Sequence, residues 1–396
     1  MALSSIETLA ALELETDGVS THSSNEQRKV EESVSAIYRS LKGKPERISS
    51  IRLFRDRHAS YLLKGLKNLS ENYECLDASR PWLCYWILHS LCLLDVPVYE
   101  HMELSVIDFL KRCQARDGGF GGGPGQLAHL APTYAAVLAL CTIGTEEAYN
   151  AIDRKSLQNY LLSMHTDEGA FMMHHDGELD VRGAYCALVC ALLTNTATEA
   201  MFKGTAEWIV SCQTYEGGIA GEPGLEAHGG YTFCGLAALL LLGKVDSIDI
   251  DRLVKWAVHR QMKFEGGFQG RTNKLVDGCY SFWQGGLFPV IAHTLQALGC
   301  KAIAQEDWMF DREALQHYIL FCCQSLIGGL VDKPGKTRDF YHTCYCLSGL
   351  SMAQKSPGDM PDVVIGGESN LLKPTHPLFN IRLDKEREAK EFFRDN

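Results

Sequence analysis

Two cations, a carboxylate and a thiol follow one another within nine residues of this chain. Arg271 and Lys274 lie three residues apart, a spacing suited to a phosphate-rich ligand, and Asp277 and Cys279 come directly after them. A carboxylate oxygen and a thiolate sulfur are both zinc ligands, and a third ligand would leave one coordination position open, as in catalytic zinc sites. His342, in the motif Asp-Phe-Tyr-His, is the obvious third ligand. The pattern predicts an enzyme that joins a phosphorylated electrophile to a metal-held nucleophile.

Each candidate also has an ordinary structural explanation, which spacing alone favours. Asp277 and Asp339 could cap helices, and Cys279 could pack in the core. His342 could be a hydrogen-bonded interior histidine, because fifteen cysteines and fourteen histidines make chance pairings frequent. The two cations could lie in a solvated basic loop. Asp332, a candidate carboxylate for a magnesium ion on bound phosphates, could belong to a surface turn. Both sites are therefore hypotheses at this point.

The elements that would carry these residues repeat along the chain. Turns made of two small residues, mostly Gly-Gly, begin at Gly118, Gly169, Gly217, Gly266 and Gly328, with spacings of about 51, 48, 49 and 62 residues. An amphipathic segment precedes each turn, and an apolar segment with helical character follows it after a loop. Such periods are typical of stacked helical repeats.

The two segments of each repeat differ in how apolar they are. The first has apolar residues three and four apart, as in Leu253, Trp256 and Ala257, whereas the second is apolar nearly all round. We therefore expect the second helix of each pair inside and the first outside. Stacking about six pairs predicts an all-α domain over residues 45–355. Periodicity does not decide whether the stack is open or closed into a ring.

Segments of different composition flank this domain. Residues 1–44 are polar and rich in Ser and Glu, so we expect a mobile tail, and residues 356–396 are expected to pack on the domain and end in a charged tail. The first residues lack the order of a signal peptide, and no apolar run approaches the ~20 residues that span a bilayer. The sequence therefore favours a cytoplasmic protein with reduced cysteines and no membrane insertion.

The formal net charge of −11 argues against nucleic-acid binding and makes a local cluster of cations more noteworthy. The segment His228-Gly229-Gly230-Tyr231 holds the place of Cys279 one repeat earlier, and would add a donor and a helix N-terminus to an anion site. Aromatic residues recur where the apolar helices begin; most such residues are core, yet here they would converge on one cavity. They are Trp82, Tyr85, Trp86, Tyr134, Tyr185, Tyr231, Tyr280, Trp283, Tyr341 and Tyr345.

Several long motifs resemble the farnesyltransferase β subunits of the protein prenyltransferase family, over about residues 71–380. That resemblance implies an α/α toroid, a closed barrel of six helix pairs. It also implies a zinc ion held by Asp277, Cys279 and His342, with Tyr280 and Lys274 completing the catalytic set. The motifs are residues Glu74–Trp82, Asp117–Gly125, Glu226–Cys234, Gly266–Arg271 and Asp332–Cys344.

The resemblance carries further roles onto this sequence. Asp332 matches a carboxylate that holds a magnesium ion with the diphosphate. The groups expected to bind diphosphate are His228, Gly229, Gly230, Arg271, Lys274 and Tyr280. The expected lipid wall is Arg182, Tyr185, Tyr231, Cys234 and Trp283, and the expected peptide pocket is Ser79, Trp82, Trp86, Tyr341 and Tyr345, with Arg182 reaching the peptide carboxylate through water.

The activity implied is zinc-dependent transfer of a farnesyl group from farnesyl diphosphate to the cysteine of a C-terminal CaaX sequence, on proteins such as small GTPases. A helical α subunit is the implied partner. Trp82 and Tyr345 match the bulky pair that closes the farnesyl pocket, and Asp332 matches a ligand that the type I geranylgeranyltransferase is expected to lack; the β subunit of that enzyme is the alternative. The resemblance leaves the roles of His174 and His175 open.

Two remoter functions belong to other classes. A terpene cyclase of the squalene–hopene type shares the toroid and the glycine turns, but it would need an Asp-x-Asp-Asp motif, which this chain lacks. A non-catalytic helical-repeat scaffold would use its Cys and His groups structurally. Zinc-dependent activity and lipid binding would separate both from a prenyltransferase.

Overall fold

The computed structural model describes Leu9 and residues 18–300, 309–356 and 361–396. Across these residues the regular structure is helical, and extended backbone pairs only in isolated bridges. Among the helices described, none has the length and apolar character needed to cross a membrane. In chain order the α-helices are α1 His22–Leu41, α2 Pro45–Ser49, α3 Arg55–Lys67, α4 Arg80–Leu93, α5 Glu100–Cys113, α6 Leu130–Ile143, α7 Glu146–Asn150, α8 Arg154–Met164, α9 Val181–Leu193, α10 Thr205–Ser211, α11 Gly229–Leu242, α12 Ile250–Val258, α13 Tyr280–Trp283, α14 Leu287–Ala297, α15 Arg312–His317, α16 Phe340–Gln354 and α17 Leu383–Asp395; 3₁₀ turns occupy Glu71–Ser79, Glu199–Phe202, Val245–Ser247 and Glu368–Asn370, and a π-helical turn occupies Tyr318–Cys323.

The inner helices form a closed ring. They are α4, α6, α9, α11, the broken pair α13 and α14, and α16; each contacts the next, and α16 contacts α4. The helices α3, α5, α8, α10, α12 and α15 precede them in the chain, one for each. The described part of the chain thus confirms the α/α toroid, and it decides the question that periodicity left open.

Burial separates the two kinds of helix as the sequence predicts. Every face of α6 and α16 is buried, whereas α12 buries only Leu253, Trp256 and Ala257 of its nine residues. At roughly 25 cal/mol for each Å² of apolar surface removed from water, the inner helices carry most of the hydrophobic stabilisation. Polar caps mark where several inner helices begin: His129 for α6 and His228 for α11 accept backbone N–H groups through their side chains.

The fifth inner helix is broken, which the continuous apolar run after Cys279 did not predict. Helix α13 ends at Trp283, and α14 begins at Leu287. A Cβ on Gly285 would lie 2.2 Å from the carbonyl oxygen of Ser281, so a bulkier residue does not fit the break. On the other side, α16 approaches so closely that a Cβ on Gly349 would lie 2.4 Å from the backbone of Ser281.

A glutamine side chain joins most glycine turns to the next outer helix. Gln114 donates to the carbonyl of Gly118 at 2.9 Å and accepts the backbone N–H of Asp153 at 3.0 Å. Asp153 in turn caps α8, so turn and helix are fixed together. Gln213 and Gln261 make the same bridges in their own repeats, and Gln324 joins the last turn to the backbone of residues 52 and 54. His165 takes this place in the less regular second turn.

The segment before the toroid corrects the expectation of a mobile tail over residues 1–44. Residues 22–41 form α1, capped by Thr21 and buried against the toroid through Val34, Tyr38 and Leu41. The Tyr38 hydroxyl donates to the carbonyl of Glu265 at 2.7 Å. The helix is amphipathic: Ser and Glu occupy its exposed face, and a few apolar residues on the other face pack against the toroid. The polar composition of the segment obscured this pattern in the sequence. Residues 1–8 and 10–17 lie outside the described part.

The C-terminal extension packs on the toroid through hydrogen bonds from its inner helices. The Tyr85 hydroxyl donates to the carbonyl of Asn380 at 2.6 Å, and the Tyr185 hydroxyl donates to that of Leu378 at 2.8 Å. Both tyrosines belong to inner helices, so residues 376–380 lie among those helices; we call these residues the plug. The charged helix α17 follows, burying Ala389 and Phe393.

Candidate active site

Three predicted metal ligands meet at the rim of the toroid. Ligand atoms of Asp277, Cys279 and His342 all lie within 4.8 Å of one another. The Asp277 Oδ1 is 3.2 Å from the His342 Nε2, and Cys279 is almost fully buried. Asp277 and Cys279 immediately precede α13 and His342 lies in the first turn of α16, so the contact between these two helices brings the ligands together.

Asp339 fixes the orientation of the histidine. Its Oδ1 accepts the backbone N–H of His342 at 2.7 Å as the cap of α16, and its Oδ2 lies 2.6 Å from the His342 Nδ1. The Nδ1 proton is donated to this carboxylate, so Nε2 is the ring nitrogen that faces Asp277. Histidine ligands of metals are held in this way by a carboxylate on the far nitrogen. On the other side, Asp277 accepts the N–H of Cys279 at 2.8 Å.

The polar atoms of this centre fit a metal ion. The His342 Nε2 is buried and makes no hydrogen bond to the described residues. Burial disfavours the imidazolium, but Asp277 and Asp339 outweigh it and raise the pKa of His342 to about 10. Burial, followed by the charge of Asp277, raises the pKa of the Cys279 thiol well above its usual value. A divalent cation among these atoms would release both protons, because it stabilises thiolate and neutral imidazole.

A second group of residues surrounds a phenol beside this centre. The Nδ1 of His228 accepts the N–H of Gly230 at 3.0 Å, so its ring proton lies on Nε2, 2.9 Å from the Tyr280 hydroxyl. Burial and then the charge of Arg271 lower the pKa of His228 to about 4, which keeps the ring neutral. The Tyr280 oxygen therefore accepts from His228, and its own O–H is left to donate to a ligand. At Gly270 a Cβ would lie 2.0 Å from the Tyr280 ring.

The predicted cations are arranged unequally around Tyr280. Arg271 lies 2.9 Å from the Glu226 carboxylate, whereas Lys274 is exposed and pairs with no acidic group among the described residues. Arg182 is held by both oxygens of Asp180, at 2.6 and 2.9 Å, and its guanidinium lies 5.7 Å from the Tyr231 ring centroid. An anion beside Tyr280 would thus meet the ammonium of Lys274, which is unpaired within the described residues, and the guanidinium of Arg271, whose charge Glu226 partly neutralises.

Asp332 does not lie in a plain surface turn. Its carboxylate is half-buried and pairs with the ammonium of Lys333, itself almost fully buried. Burial and then the charge of Asp277 raise the pKa of Asp332, so the two carboxylates sense one another. A magnesium ion at this carboxylate would have to displace Lys333 or share the oxygens with it. The magnesium role stays a prediction.

Most of the predicted aromatic residues form one continuous cluster. Trp82 lies 5.5 Å from Trp86 and from Tyr134, and Trp86 lies 5.4 Å from Tyr341. Trp283 and Tyr345 are 4.7 Å apart, and the Trp283 indole N–H donates to the Tyr341 hydroxyl at 3.3 Å. Tyr345, Tyr185 and Cys234 are buried almost completely, behind the more accessible Trp82, Tyr231 and Trp283. Ser79 is half-buried and directly precedes α4, the helix that carries Trp82.

Sequence reasoning missed several residues that position the candidates. Asp339 was considered only as a helix cap, and Glu226 and Asp180 were not singled out. A signal existed, because each inner helix that carries a candidate begins with a side chain able to accept a backbone N–H. His174 and His175 each lie near a carboxylate, at 3.5 Å from Glu178 and 3.8 Å from Asp117.

Comparison with known proteins identifies similar sequences and a similar fold. The model of the family described as "Prenyltransferase alpha-alpha toroid domain" matches residues 53–381. The protein farnesyltransferase subunit beta of Arabidopsis thaliana is 45% identical over 397 residues, spanning 86% of this chain and 82% of the relative. The protein of the same name from Pisum sativum is 46% identical, spanning 79% of this chain and 89% of the relative.

More distant similarities concern the geranylgeranyl enzymes. The geranylgeranyl transferase type-1 subunit beta of Arabidopsis thaliana is 32% identical, spanning 76% of this chain and 85% of the relative. A solved structure of Candida albicans protein geranylgeranyltransferase-I, complexed with GGPP, matches at a TM-score of 0.70 and 22% identity, covering 86% of this chain and 99% of that chain, and shares the fold. The chain belongs to the prenyltransferase toroid family and, within it, to the farnesyltransferase β subunits.

Proposed function

We propose that this chain is the catalytic β subunit of a heterodimeric protein farnesyltransferase. Its reaction forms a thioether between the cysteine sulfur of a C-terminal CaaX sequence and C1 of the farnesyl group, and breaks the bond from C1 to the diphosphate oxygen. The observation that carries the proposal is the convergence of Asp277, Cys279 and His342 beside the available hydroxyl of Tyr280. A nucleophile and a leaving group need these two environments side by side.

The metal proposed for the centre is a single zinc ion. One carboxylate, one thiolate and one imidazole are ligands that zinc accepts together, and three protein ligands leave a position for a substrate. When bound, zinc would lower the pKa of a substrate thiol from about 8.5, so that the thiolate forms at neutral pH. The chain's own contribution is geometric: Asp339 holds the His342 ring, and burial excludes water from Cys279.

The leaving diphosphate is proposed to lie against Tyr280 and its neighbours. His228 donates to the Tyr280 oxygen, which strengthens the phenol as a donor to a phosphate oxygen. Lys274 would meet the negative charge that grows as the bond breaks, and Arg271 would exchange Glu226 for the phosphate. Preformed donors of this kind stabilise charge without reorganising. A magnesium ion on Asp332 would add to this stabilisation.

The lipid and the peptide are proposed to share the aromatic cluster. Burying a fifteen-carbon isoprenoid at ~0.8 kcal/mol for each carbon gains on the order of 10 kcal/mol before ordering costs. Trp82 would limit the length of the chain, and Arg182 would reach the peptide carboxylate through water. The α subunit would complete the peptide site, and the site of action would be the cytoplasm.

The proposal is tested with the chain co-expressed with an α subunit and supplied with a CaaX peptide, zinc and magnesium. Transfer rates from farnesyl and geranylgeranyl diphosphate are compared, with and without removal of zinc. Farnesyl preference that disappears with zinc supports the enzyme, its metal and its lipid together. A geranylgeranyl preference would instead assign the chain to the type I enzyme, and no transfer of either would contradict the proposal.

Trp82 is the residue to vary for lipid length. Replacing the indole by threonine removes a bulky ring that contacts Trp86 and Tyr134, and thereby lengthens the space for lipid. We expect Trp82→Thr to transfer geranylgeranyl groups at a rate comparable to farnesyl. Lipid competition at equal concentrations measures this, with the buried Trp256→Phe on outer helix α12 as a control far from the cluster. An unchanged preference would show that Trp82 does not limit length.

A further inference from the structure

A cationic cavity includes Arg338, which lies four residues before His342 in the sequence. It has a volume of about 520 Å³ and lies between α3 and the last glycine turn. Its charged lining consists of Arg57, Lys64 and Arg338 with a single carboxylate, Asp56. No ion pair joins these four groups to other residues in the described ranges, and two positive charges are in excess. This excess opposes the net charge of −11 that the chain carries as a whole.

The cavity is built before any ligand arrives. The guanidinium of Arg338 lies 4.3 Å from the Tyr61 ring centroid, and one of its nitrogens donates to the carbonyl of Gly328 at 2.6 Å. The Tyr61 ring stacks on Phe340 at 4.6 Å, beneath the first turn of α16. Arg57 donates to the carbonyl of Leu326 at 2.7 Å. Both guanidinium groups are therefore fixed in place while retaining N–H groups for an anionic ligand.

Two apolar side chains form the edge of this cavity. Leu326 and Ile327 are 71% and 73% exposed, although the glycine turn that carries them is anchored on both sides. Together with the cations they give the cavity an edge that is apolar beside a lining that is charged. A ligand that matches both parts combines carboxylates with apolar side chains, which describes a protein segment better than a small anion.

The position of Arg338 relates this cavity to the reacting cysteine. Arg338 precedes His342 by four residues, so their Cα atoms are at most about 15 Å apart. An extended peptide rises by about 3.3 Å per residue, so four or five residues span that distance. Residues within about five positions before a cysteine held at the metal centre are therefore long enough to reach Arg338, at the edge of the cavity.

We propose that this cavity binds acidic residues within the few positions that precede the modified cysteine of a substrate protein. The inference rests on the proposed function, because it assumes a cysteine at the metal centre. The global negative charge of the chain would favour basic residues in the same positions. A preference for acidic residues can therefore come only from local cations, and the two effects have opposite sign.

The test uses the heterodimer and three peptides that share one CaaX sequence but carry four Glu, four Ser or four Lys before the cysteine. We expect kcat/KM to be about fivefold higher for the Glu peptide than for the Ser peptide at low salt, the range of one to two exposed ion pairs. High salt should remove the difference by screening. Lys64→Glu should abolish the preference, whereas Lys67→Glu, an exposed lysine of α3 outside the cavity, should retain it.

The remaining outcomes separate this inference from the proposed function. If the wild-type heterodimer modifies the bare CaaX tetrapeptide but does not prefer the Glu peptide, the inference is wrong and the function stands. Failure to modify the tetrapeptide overturns both. If Lys64→Glu prevents assembly with the α subunit while Lys67→Glu does not, the cavity is part of the subunit interface, which overturns the inference as well.

Discussion

At the scale of single residues, the site depends on carboxylates that act through their neighbours. Asp339 both caps α16 and holds the Nδ1 of His342, and Asp277 both accepts the N–H of Cys279 and faces the His342 Nε2. Sequence spacing identified the three candidate ligands, and the structure brings them together. Sequence spacing did not show that Asp339 orients the His342 ring. An aspartate that caps a helix has the same position in the sequence whether or not its second oxygen also contacts the histidine.

The role of Asp339 leads to a prediction about metal affinity. Asp339→Asn keeps an oxygen that caps the helix, but its amide cannot accept the Nδ1 proton as the carboxylate does. We expect zinc to bind about 10- to 100-fold more weakly, as for other changes to such partners. Competition with a zinc chelator measures this. Asp311→Asn, the same change at the cap of α15, should leave affinity unchanged, and equal affinities in all three proteins would refute the role.

Replacing Cys279 should affect metal binding but not lipid binding. Cys279→Ala removes the only sulfur of the candidate metal centre, so we expect loss of zinc and of transfer. Farnesyl diphosphate should still bind, because its proposed contacts lie at Tyr280 and His228. Zinc content by atomic emission and lipid affinity by fluorescence measure the two. Cys141→Ala, a buried thiol of α6, serves as the control. Zinc retained with lipid binding lost would disprove the metal assignment.

At the scale of elements, helix α1 is fixed to the toroid by a buried carboxyl group. The side chain of Glu265 accepts from Gln27 at 2.8 Å, and its second oxygen is buried without a hydrogen bond to the described residues. Burial raises the pKa of Glu265 to about 7, and the nearby Glu31 acts in the same direction. A group whose pKa is raised in the folded state stabilises fully below its unfolded pKa, and that stability is lost as pH rises through the folded pKa.

Glu265 therefore predicts a pH dependence of stability. The free energy of unfolding should fall between about pH 4.5 and pH 7, by up to about 3 kcal/mol from this group. Glu265→Gln keeps the bond from Gln27 but cannot ionise, so its stability should match the wild type near pH 5 and exceed it at pH 8. Urea midpoints across this range measure the difference. Glu168→Gln changes an exposed residue of an equivalent turn, and its stability should vary with pH as that of the wild type does. If the stability of Glu265→Gln varied with pH in the same way as the wild type, the prediction would be wrong.

The elements show what a sequence can and cannot predict. The glycine turns and the contrast between amphipathic and apolar segments predict the outer and inner helices, because burial on one face or on all faces leaves a period in the sequence. The break between α13 and α14 leaves no such period, since it depends on close approaches at two glycines: a Cβ on Gly285 would meet the carbonyl of Ser281, and Gly349 of α16 packs against the same residue from a distant part of the chain. Helix α1 was missed because its apolar residues are few and its exposed face resembles a disordered tail.

At the scale of the whole molecule, the plug connects the C-terminal extension to several inner helices at once. Asn380 has a positive φ of 51°, and its Oδ1 lies 3.1 Å from the His89 Nε2 and accepts from Thr375 at 3.0 Å. Burial lowers the pKa of His89 to about 3, so a neutral ring contacts the Asn380 amide.

Removing that side chain should destabilise the toroid. Asn380→Ala leaves buried donors unsatisfied and places alanine in a left-handed conformation, so we expect a loss of about 2–4 kcal/mol. Chemical denaturation measures the loss, and Asn150→Ala, an exposed residue of α7, should change stability by less than about 0.5 kcal/mol. A loss no larger than that of the control would show that the plug is held by other contacts.

The closure of the ring has a consequence for how the molecule unfolds. In a linear array of repeats the two terminal repeats each have a single neighbour, and melting starts there. Here α16 packs on α4, and Gln324 bonds the backbone just before α3, so the first and last repeats stabilise one another as any adjacent pair does. Loosening one repeat then costs two interfaces wherever it occurs. The toroid should open in a single cooperative step instead of fraying from its ends.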